Sequence, residues 1–410
     1  MKIAVINSVC GFGSTGKIAL SNYKLFKYLG MDAKVFYGIY KQYGLPDDIV
    51  FFGSRIATYL HIIIGRIFGL SGMLSNLPTR KLLRELKKFN PDIVWLGNLH
   101  GYYVSEFRLM QYLKKSKCYV IYSMPDEYAF VGKCTNTYNC EKFKVRCEKC
   151  PHLRDYPKSL FFDNSSMLFD KKKKVYDGFN KIIFRSAPYI IERAKESALI
   201  GDKQLLAVDS TVDVRSLYYP RSSNQLREQL SIPNEAIVVL NCAPYSSNIK
   251  GVKYFLAAAR ILIKYNIIFI NIGFDGNKNE CPTNYIAIPY VSNPDVLSEY
   301  YSLADAYVCT SIADAMPNTC LEALGCGTPI LGFNISGVPY VADKDHGKFI
   351  EPINANTLAQ AIKEIPRKTA DMIKSCHEYA IARYDLAISN ASISKLIDDL
   401  SQKIKVEKEE

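Results

Sequence analysis

The sequence predicts an α/β protein made of two doubly wound, Rossmann-like domains. Short apolar runs alternate with helical patterns, which is the arrangement of parallel βαβ units. The same alternation starts again near residue 236, after a proline-punctuated link at 213–233. At 410 residues the chain is long enough for two separate cores. We therefore expect a first domain at 1–213, a second at 214–385, and a helix with a charged tail at 386–410 that could fold back across the first domain.

Each predicted strand is a short run of apolar, often β-branched residues, and each predicted helix has apolar residues at helical spacing. In the first half, strands are expected at 2–7, 34–38, 91–98 and 118–123, with helices at 17–30, 82–89 and 107–115. In the second half, strands are expected at 236–241, 267–272, 286–289, 306–310 and 329–333, with helices at 251–263, 295–304 and from 319. In such units, ligands bind outside the carboxyl ends of the strands.

The charge of the chain is concentrated in its first half. Residues 1–215 carry a net charge of +15 and residues 216–410 a net charge of −3. This asymmetry predicts an anionic partner for the first half, such as the surface of an anionic membrane, although solvated lysines would also explain much of it.

The same sequence favours a cytoplasmic protein. Met1 leads directly into an apolar strand without the blocks of a signal peptide, and twelve cysteines then indicate thiols or metal ligands in a reducing compartment. The apolar segment 56–74 is interrupted by His61, Arg66 and glycines, so it does not fit a membrane span. We expect a core helix there, with an interfacial helix as the alternative.

The first glycine-rich loop, from Gly11 to Gly16, follows a predicted strand and precedes a helix. It fits the dinucleotide-binding pattern, but the second strand ends without an acidic residue to hold a ribose, which disfavours a hydride-transfer cofactor. It nearly fits the P-loop, but Ile18 stands where Ser or Thr would hold magnesium, which disfavours an NTPase. Gly13, Ser14 and Gly16 remain candidates for contact with an anionic ligand at the helix start. A tight strand-to-helix turn is the equal alternative.

A stretch in the second half, DAMPNTCLEALGCGTP, carries the most specific signal. Pro317 and Asn318 are expected to start a helix, which leaves the backbone N–H groups around Thr319 free to bind a diphosphate. Asp314 lies just before this helix and Glu322 about one turn inside it. Because carboxylates accept the hydrogen bonds that sugars donate, we expect Asp314 to face sugar hydroxyls and Glu322 to face ribose hydroxyls.

These residues resemble the retaining glycosyltransferases of family 4, which have the GT-B fold. The acidic-x7-acidic motif of that family here runs from Asp314 to Glu322, and its EA-x-x-x-G-x-P stretch occupies 322–329. The most similar branch builds bacterial exopolysaccharides, in the manner of colanic-acid transferases. Its hallmarks run along nearly the whole chain: INS-x3-GFGSTGKIA, PDIVWLGNLHGYY, a four-cysteine segment, LREQLSIP, NIKG and MPNTCLEALGCGTP.

The resemblance implies two Rossmann-like domains facing a cleft and a sugar transferred from a nucleoside-diphosphate sugar with retention of configuration. A UDP- or GDP-sugar is the expected donor, and no metal is expected at the reaction centre. Lys250 and Gly251 match the family's Lys-Gly pair, whose lysine contacts the donor diphosphate. A cation beside a helix start stabilises the leaving diphosphate as the glycosidic bond breaks. A solvated surface lysine is the alternative for Lys250.

The sequence departs from the family pattern at two places. The loop before Lys250 lacks the Arg that the family often carries. Pro125 stands where the family commonly has His, and its side chain neither donates nor accepts. Asp126, and His100 from the neighbouring strand end, are therefore the expected catalytic candidates beside Asp314, with a packed histidine as the alternative for His100. In a front-face retaining mechanism the leaving phosphate can itself deprotonate the acceptor, so loss of one His need not abolish catalysis.

Four cysteines lie close together in the loop 134–152: Cys134, Cys140, Cys147 and Cys150. A Cys-x2-Cys pair is typical of tetrahedral zinc sites, so we expect a structural zinc clip on the acceptor side, with free thiols or a disulfide as alternatives. The loop is basic, and with the lysine run at 171–174 it predicts a surface for lipid phosphate or an acidic glycan. A nucleic-acid module is the less favoured interpretation.

The sequence therefore predicts a cytoplasmic glycosyltransferase, peripheral to the inner membrane, that extends a bacterial surface polysaccharide such as an exopolysaccharide or capsule. Its expected partners are a nucleotide-sugar donor, a lipid-linked or oligosaccharide acceptor and an anionic membrane surface, without nucleic acid. The alternatives are a non-catalytic sugar-nucleotide or glycan-binding protein on the same scaffold and a zinc-loop nucleic-acid binder.

Overall fold

The computed structural model describes residues 1–409, and the chain divides into two compact units. The N-terminal unit contains Met1–Ser186, Ile190–Val208 and the chain from Ser392 onward. The C-terminal unit contains Ala187–Tyr189 and Asp209–Ala391. Each unit is a parallel sheet with helices around it, so the expected α/β architecture with two Rossmann-like domains is confirmed.

The strands of the N-terminal unit are apolar runs buried on both faces, as parallel sheets require. They pair in parallel in the order β3-β2-β1-β4-β5-β6-β7. The strands are β1 (Lys2–Asn7), β2 (Asp32–Tyr37), β3 (Ile49–Phe51), β4 (Ile93–Leu96), β5 (Tyr119–Ser123), β6 (Ile182–Ser186) and β7 (Gln204–Ala207). The order changes direction between β1 and β4, so the loops that follow these two strands flank a crevice where ligands bind in such sheets.

Helices connect these strands. They are α1 (Gly13–Tyr28), α2 (Arg55–Phe68), α3 (Asn76–Phe89), α4 (Glu106–Lys115), α5 (Ser165–Tyr176) and α6 (Pro188–Lys195). The core beneath α1 contains Phe26, whose ring lies 5.5 Å from that of Trp95 in β4. Helix α3 begins six residues before the predicted start, because the apolar periodicity fades in its polar first turn.

Helix α2 differs from its sequence-based prediction. Ser54 caps its start by accepting a hydrogen bond from the Ala57 N–H, and Gly69 ends it in a left-handed conformation. Only His61 and Gly65 of the helix are buried. The expectation of a core helix is therefore wrong: α2 contacts the unit through one narrow face and leaves most of its apolar residues exposed.

The C-terminal unit repeats the architecture. Its strands pair in parallel in the order β10-β9-β8-β11-β12-β13, with the change of direction between β8 and β11. The strands are β8 (Ile237–Cys242), β9 (Ile267–Ile272), β10 (Tyr285–Ile288), β11 (Ala306–Cys309), β12 (Ile330–Phe333) and β13 (Gly347–Ile350). The helices are α7 (Asn224–Gln229), α8 (Val252–Ile261), α9 (Pro294–Leu303), α10 (Asn318–Gly325), α11 (Ala355–Lys363) and α12 (Ala370–Tyr384).

The last helix, α13 (Leu386–Glu409), begins in the C-terminal unit and belongs to the N-terminal unit from Ser392. Its buried residues Ile393, Ile397, Leu400 and Ile404 follow helical spacing and join the core of the N-terminal unit. Near its end, Lys408 pairs with Asp92 at 2.8 Å. Across the described chain, no helix combines the length and apolar character needed to cross a bilayer.

Candidate functional site

In the C-terminal unit, the loops that follow β8 and β11 are joined at the point where the strand order changes direction. The Thr310 hydroxyl donates to the Lys250 carbonyl at 2.8 Å and accepts from the Asn241 amide at 3.2 Å. Gly251 has a φ of 63°, and a Cβ there would lie 2.2 Å from the Thr310 carbonyl oxygen. Only glycine allows this approach, because it accepts a left-handed conformation and has no side chain. The contact places Lys250 beside the chain that follows β11.

Lys250 forms an ion pair with Asp314. The Lys250 Nζ atom lies 2.5 Å from the Asp314 Oδ2 atom, and the two side chains are 40% and 15% exposed. Burial opposes the charge, but the Asp314 carboxylate outweighs it and raises the pKa of the Lys250 ammonium. Ser336 fixes the Asp314 backbone, accepting from its N–H at 3.1 Å and donating to its carbonyl at 2.8 Å. Two residues that the sequence interpretation placed in one site are thus in direct contact.

Helix α10 starts just after Asp314. Pro317 precedes its first residue, Asn318, and the Cys320 N–H closes the first turn on the Pro317 carbonyl at 3.0 Å. The Thr319 hydroxyl accepts from the Tyr307 hydroxyl at 2.8 Å. The first-turn N–H groups thus lie on the same loop as the Lys250–Asp314 pair, where a helix start favours an anion.

Glu322 lies one turn further along α10. Its Oε2 atom accepts from the Tyr301 hydroxyl at 2.7 Å. Burial, and then the Glu322 charge, raises the pKa of the Tyr218 phenol, so a second tyrosine also lies beside this carboxylate. The tyrosines hold the Glu322 side chain in one orientation at the edge of the core.

In the N-terminal unit, His100 and Asp126 meet at the carboxyl ends of β4 and β5. The His100 Nε2 atom lies 2.7 Å from the Asp126 Oδ2 atom, and its Nδ1 atom lies 3.3 Å from the Tyr156 hydroxyl. The Tyr128 N–H donates to the other Asp126 oxygen at 3.0 Å. The structure therefore brings together two of the predicted catalytic residues, from the strand end where the sequence has Pro125 and from its neighbour.

A buried charged group supports this corner. Lys172 is 2% exposed, and its Nζ atom donates to the carbonyls of Tyr128 at 2.5 Å and Val131 at 3.1 Å. The same Nζ atom lies 3.9 Å from Glu106, which accepts from the Tyr128 hydroxyl at 2.9 Å. The expectation that the lysine run at 171–174 is wholly a surface is therefore wrong for Lys172. No sequence signal distinguishes Lys172 from its neighbours except its position on the inner face of α5.

The first glycine-rich loop forms a tight strand-to-helix turn. The Gly11 N–H donates to the Gly16 carbonyl at 2.9 Å, and a Cβ at Gly16 would lie 3.0 Å from Val9. Helix α1 begins at Gly13 without a side-chain cap, and both Gly13 and Ser14 are exposed. Since the close packing at Gly16 accounts for that glycine, the turn has a structural reason independent of any ligand.

The four clustered cysteines line one small cavity together with His152. Burial first, and then the nearby thiols of Cys150 and Cys147, raises the pKa of Cys134. Within residues 1–409, no three His, Cys, Asp or Glu side chains are arranged to hold a metal ion. The residues as arranged do not fit a zinc site, and no step of the reaction is derived from one.

The sequence interpretation missed the residues that support the site. Tyr301, Tyr307 and Ser336 are separated from the motif in sequence and reach it only through the fold. Asn241 ends the apolar run of β8 as a buried polar residue, and such a residue at a strand end is a signal that could have identified it.

Comparisons with known proteins agree with this geometry. Residues 236–367, which contain Lys250, Asp314 and Glu322, match the family model of group 1 glycosyl transferases. The chain is 20% identical over 329 residues to a putative colanic acid biosynthesis glycosyl transferase of Escherichia coli, covering 75% of this chain and 76% of that protein.

Solved structures resemble the chain over nearly its whole length. Sucrose-phosphate synthase from Thermosynechococcus elongatus is 15% identical with a TM-score of 0.69, covering 98% of this chain and 99% of that one. A Rickettsia africae glycosyltransferase is 14% identical with a TM-score of 0.67, covering 97% and 98%. Anabaena HepE in complex with UDP-glucose is 14% identical with a TM-score of 0.62, covering 97% and 100%. The chain is therefore a glycosyltransferase of GT-B fold whose residues 236–367 form a group 1 glycosyl transferase domain.

Proposed function

We propose that the chain transfers a sugar, with retention of configuration, from a nucleoside-diphosphate sugar to a lipid-linked or growing bacterial surface polysaccharide. The observation that carries this proposal is the Lys250–Asp314 pair beside the first turn of α10. Cation, carboxylate and free N–H groups lie together where ligands bind in doubly wound sheets. The similarity to a putative colanic acid transferase supports a polysaccharide as the product.

In this proposal the C-terminal unit binds the donor. The Lys250 ammonium and the N–H groups of Asn318 and Thr319 receive the diphosphate, which gains negative charge as the glycosidic bond breaks. Glu322, oriented by its tyrosines, accepts hydrogen bonds from the ribose, and Asp314 accepts them from the sugar. Gly251 allows the loop of Lys250 to approach.

The donor is proposed to be a UDP-sugar, with a GDP-sugar as the alternative. Anabaena HepE, which shares the fold over its whole length, was solved with UDP and with UDP-glucose. No metal is assigned to the reaction centre, because a lysine and a helix start supply the positive charge that the leaving diphosphate needs.

His100 and Asp126 are the proposed proton-handling pair. Asp126 accepts from His100 and holds the ring in one orientation, which leaves the other ring nitrogen near Tyr156. A histidine oriented by a carboxylate can accept or donate a proton near neutral pH. The leaving phosphate of the donor is the second base available to a front-face retaining reaction.

The same proposal places the enzyme in the cytoplasm at the inner face of the membrane. A lipid-linked acceptor is anchored there, and the net charge of +15 on residues 1–215 suits an anionic leaflet. The Gly13–Gly16 turn is retained as a secondary contact for an anionic ligand.

A panel of UDP- and GDP-sugars, screened for protection against thermal unfolding and for release of the nucleoside diphosphate, tests the proposal. Lys250→Ala and Glu322→Ala should each weaken protection, whereas the exposed controls Lys253→Ala and Glu228→Ala should match the parent. Protection without release of nucleoside diphosphate in the presence of glycan acceptors would support the non-catalytic binder instead. Equal protection of Lys250→Ala, Glu322→Ala and parent would overturn the site.

The proton-handling pair is tested with His100→Gln. Loss of an acid–base group lowers turnover by about 100-fold or more, whereas His152→Gln, in the same unit, should leave it unchanged. A kcat equal to that of the parent would assign proton transfer to the leaving phosphate alone.

A structural zinc ion at the four cysteines is a separate proposal, supported by their convergence on one cavity. Metal content of the purified protein, compared with that of a Cys147→Ser/Cys150→Ser variant, decides between zinc and free thiols. Parent protein without bound zinc would remove the proposal and leave the enzyme assignment intact.

A further inference from the structure

Helix α2 exposes an apolar face that no described part of the chain covers. Ile56, Tyr59, Leu60 and Ile63 follow an i, i+3, i+4, i+7 spacing and therefore share one side of the helix. These four side chains are between 53% and 75% exposed. Monomeric proteins rarely leave such a contiguous apolar face in water without a function.

Aromatic residues extend this face at the end of α2. The Phe68 ring stacks on Phe162 with 5.3 Å between ring centroids, and the Leu160 N–H donates to the Arg66 carbonyl at 2.7 Å. Phe161, next in the same segment, is 74% exposed. We call Ile56, Tyr59, Leu60, Ile63, Phe68, Phe161 and Phe162 the α2 face.

The charge around the α2 face is of one sign. Residues 49–84 contain no Asp or Glu and five basic residues. Arg55 and Arg66 are exposed and eleven residues apart, about three helical turns, so both lie along the same edge of the face. Lys158 is exposed in the aromatic segment. The nearest acid in that segment, Asp163, directs its carboxylate to the N–H groups of Cys150 and Ser165.

An apolar helical face with aromatic residues, bordered by arginines and free of acids, has the chemistry of a helix that lies in a membrane interface. The apolar side chains enter the boundary of the acyl chains, and the arginines meet lipid phosphates. A protein partner would also suit an apolar face, but the uniform positive border complements an anionic lipid surface.

We propose that the α2 face docks the N-terminal unit onto a bilayer that contains anionic lipid. The proposal deepens the proposed transfer to a lipid-linked acceptor, because it names the surface that would hold the enzyme beside such an acceptor. It does not depend on the donor site, which is in the other unit.

The test uses the full chain and its co-sedimentation with vesicles of phosphatidylcholine alone or mixed with phosphatidylglycerol. The variant Ile56→Ser/Leu60→Ser/Ile63→Ser should lose at least tenfold in affinity for the mixed vesicles. The control Ile261→Ser/Ile263→Ser replaces similarly exposed residues of the C-terminal unit and should bind as the parent does. Arg55→Gln/Arg66→Gln should weaken binding and reduce its sensitivity to salt.

Each further outcome has a meaning. Because the replaced side chains are exposed, melting temperatures and protection by UDP-sugar should match the parent, which separates a docking defect from a folding or donor-site defect. A parent that fails to bind mixed vesicles, or a triple variant that binds them as well as the parent, overturns the proposal. A parent dimer that the triple variant abolishes, without vesicle binding, would assign the face to a second copy of the chain.

Discussion

The Lys250 ammonium and the Asp314 carboxylate are in contact at 2.5 Å, so a diphosphate that binds Lys250 competes with a carboxylate of this chain. Asp314 raises the pKa of Lys250 against the effect of burial, which keeps the lysine charged for the ligand. The same carboxylate is the proposed sugar contact. Donor binding would therefore divide the pair, with the lysine turning to the diphosphate and the acid to the sugar.

This relationship gives the first prediction. Asp314→Asn removes a negative charge beside the diphosphate, so UDP without a sugar should bind several-fold more tightly than to the parent. Turnover of the UDP-sugar should fall, because the lost charged hydrogen bond is worth about 1.5–3 kcal/mol, roughly a tenfold to hundredfold change in rate. Calorimetric titration with UDP and an assay of sugar transfer measure the two effects. Weaker UDP binding in Asp314→Asn would contradict the competition.

The second prediction concerns Gly251. Alanine there would place its Cβ 2.2 Å from the Thr310 carbonyl oxygen in a left-handed conformation. The conformation alone costs about 1–2 kcal/mol, and the overlap adds about 1–3 kcal/mol. Gly178→Ala is the matched control, since Gly178 has a φ of 62° and no neighbouring atom within 4 Å of the point that a Cβ would occupy.

Urea unfolding of the two glycine variants measures the difference. Gly251→Ala should be the less stable, and it should also bind UDP more weakly because Lys250 is displaced. Equal free energies of unfolding would show that the loop adjusts at no cost, and the close approach would then not be what positions Lys250.

The third prediction concerns the buried pair of Lys172 and Glu106. Lys172→Met leaves the Glu106 carboxylate without a cation in the core, which costs about 3–5 kcal/mol. Lys173→Met, one residue along and exposed, should change stability little. Adding Glu106→Gln to Lys172→Met should recover part of the loss, because it removes the unpaired charge. No recovery in the double variant would show that Lys172 acts through the Tyr128 and Val131 carbonyls instead.

The sequence predicted the architecture and one half of the site well for a physical reason. Strands buried on both faces read as apolar runs, and the residues from Asp314 to Glu322 are contiguous, so their grouping needs no tertiary information. Residues 236–367 also match the family model, which confirms the enzyme class.

What the sequence could not supply depends on packing. Lys172 is one of four identical neighbours, and only the orientation of α5 selects it for burial. Helix α2 has the composition of a core helix, but the unit meets it only around His61 and Gly65, so its apolar residues stay exposed. The contact of His100 with Asp126 requires β4 and β5 to be neighbours, which strand order decides and local sequence does not.

The last prediction is a loss of stability in mild acid caused by His61. This histidine is fully buried, with its Nδ1 atom 2.9 Å from the Tyr102 carbonyl and its Nε2 atom accepting from the Leu74 N–H at 3.4 Å. Burial lowers the pKa of the imidazole to about 4, below its ordinary value of 6.5. Between these two values the unfolded chain binds a proton that the folded chain excludes. Stability is therefore complete above the ordinary pKa and falls as the pH drops towards the folded pKa.

From near pH 7 to near pH 5, His61 alone should reduce the free energy of unfolding by about 2 kcal/mol. His61→Gln cannot titrate, so its unfolding free energy should fall by that much less over the same range, whatever its stability at pH 7. His152→Gln should keep the full dependence of the parent. Urea unfolding at the two pH values measures all three proteins. If His61→Gln loses as much stability as the parent, the imidazole must accept a proton in the folded state, and α2 must then open around it in mild acid.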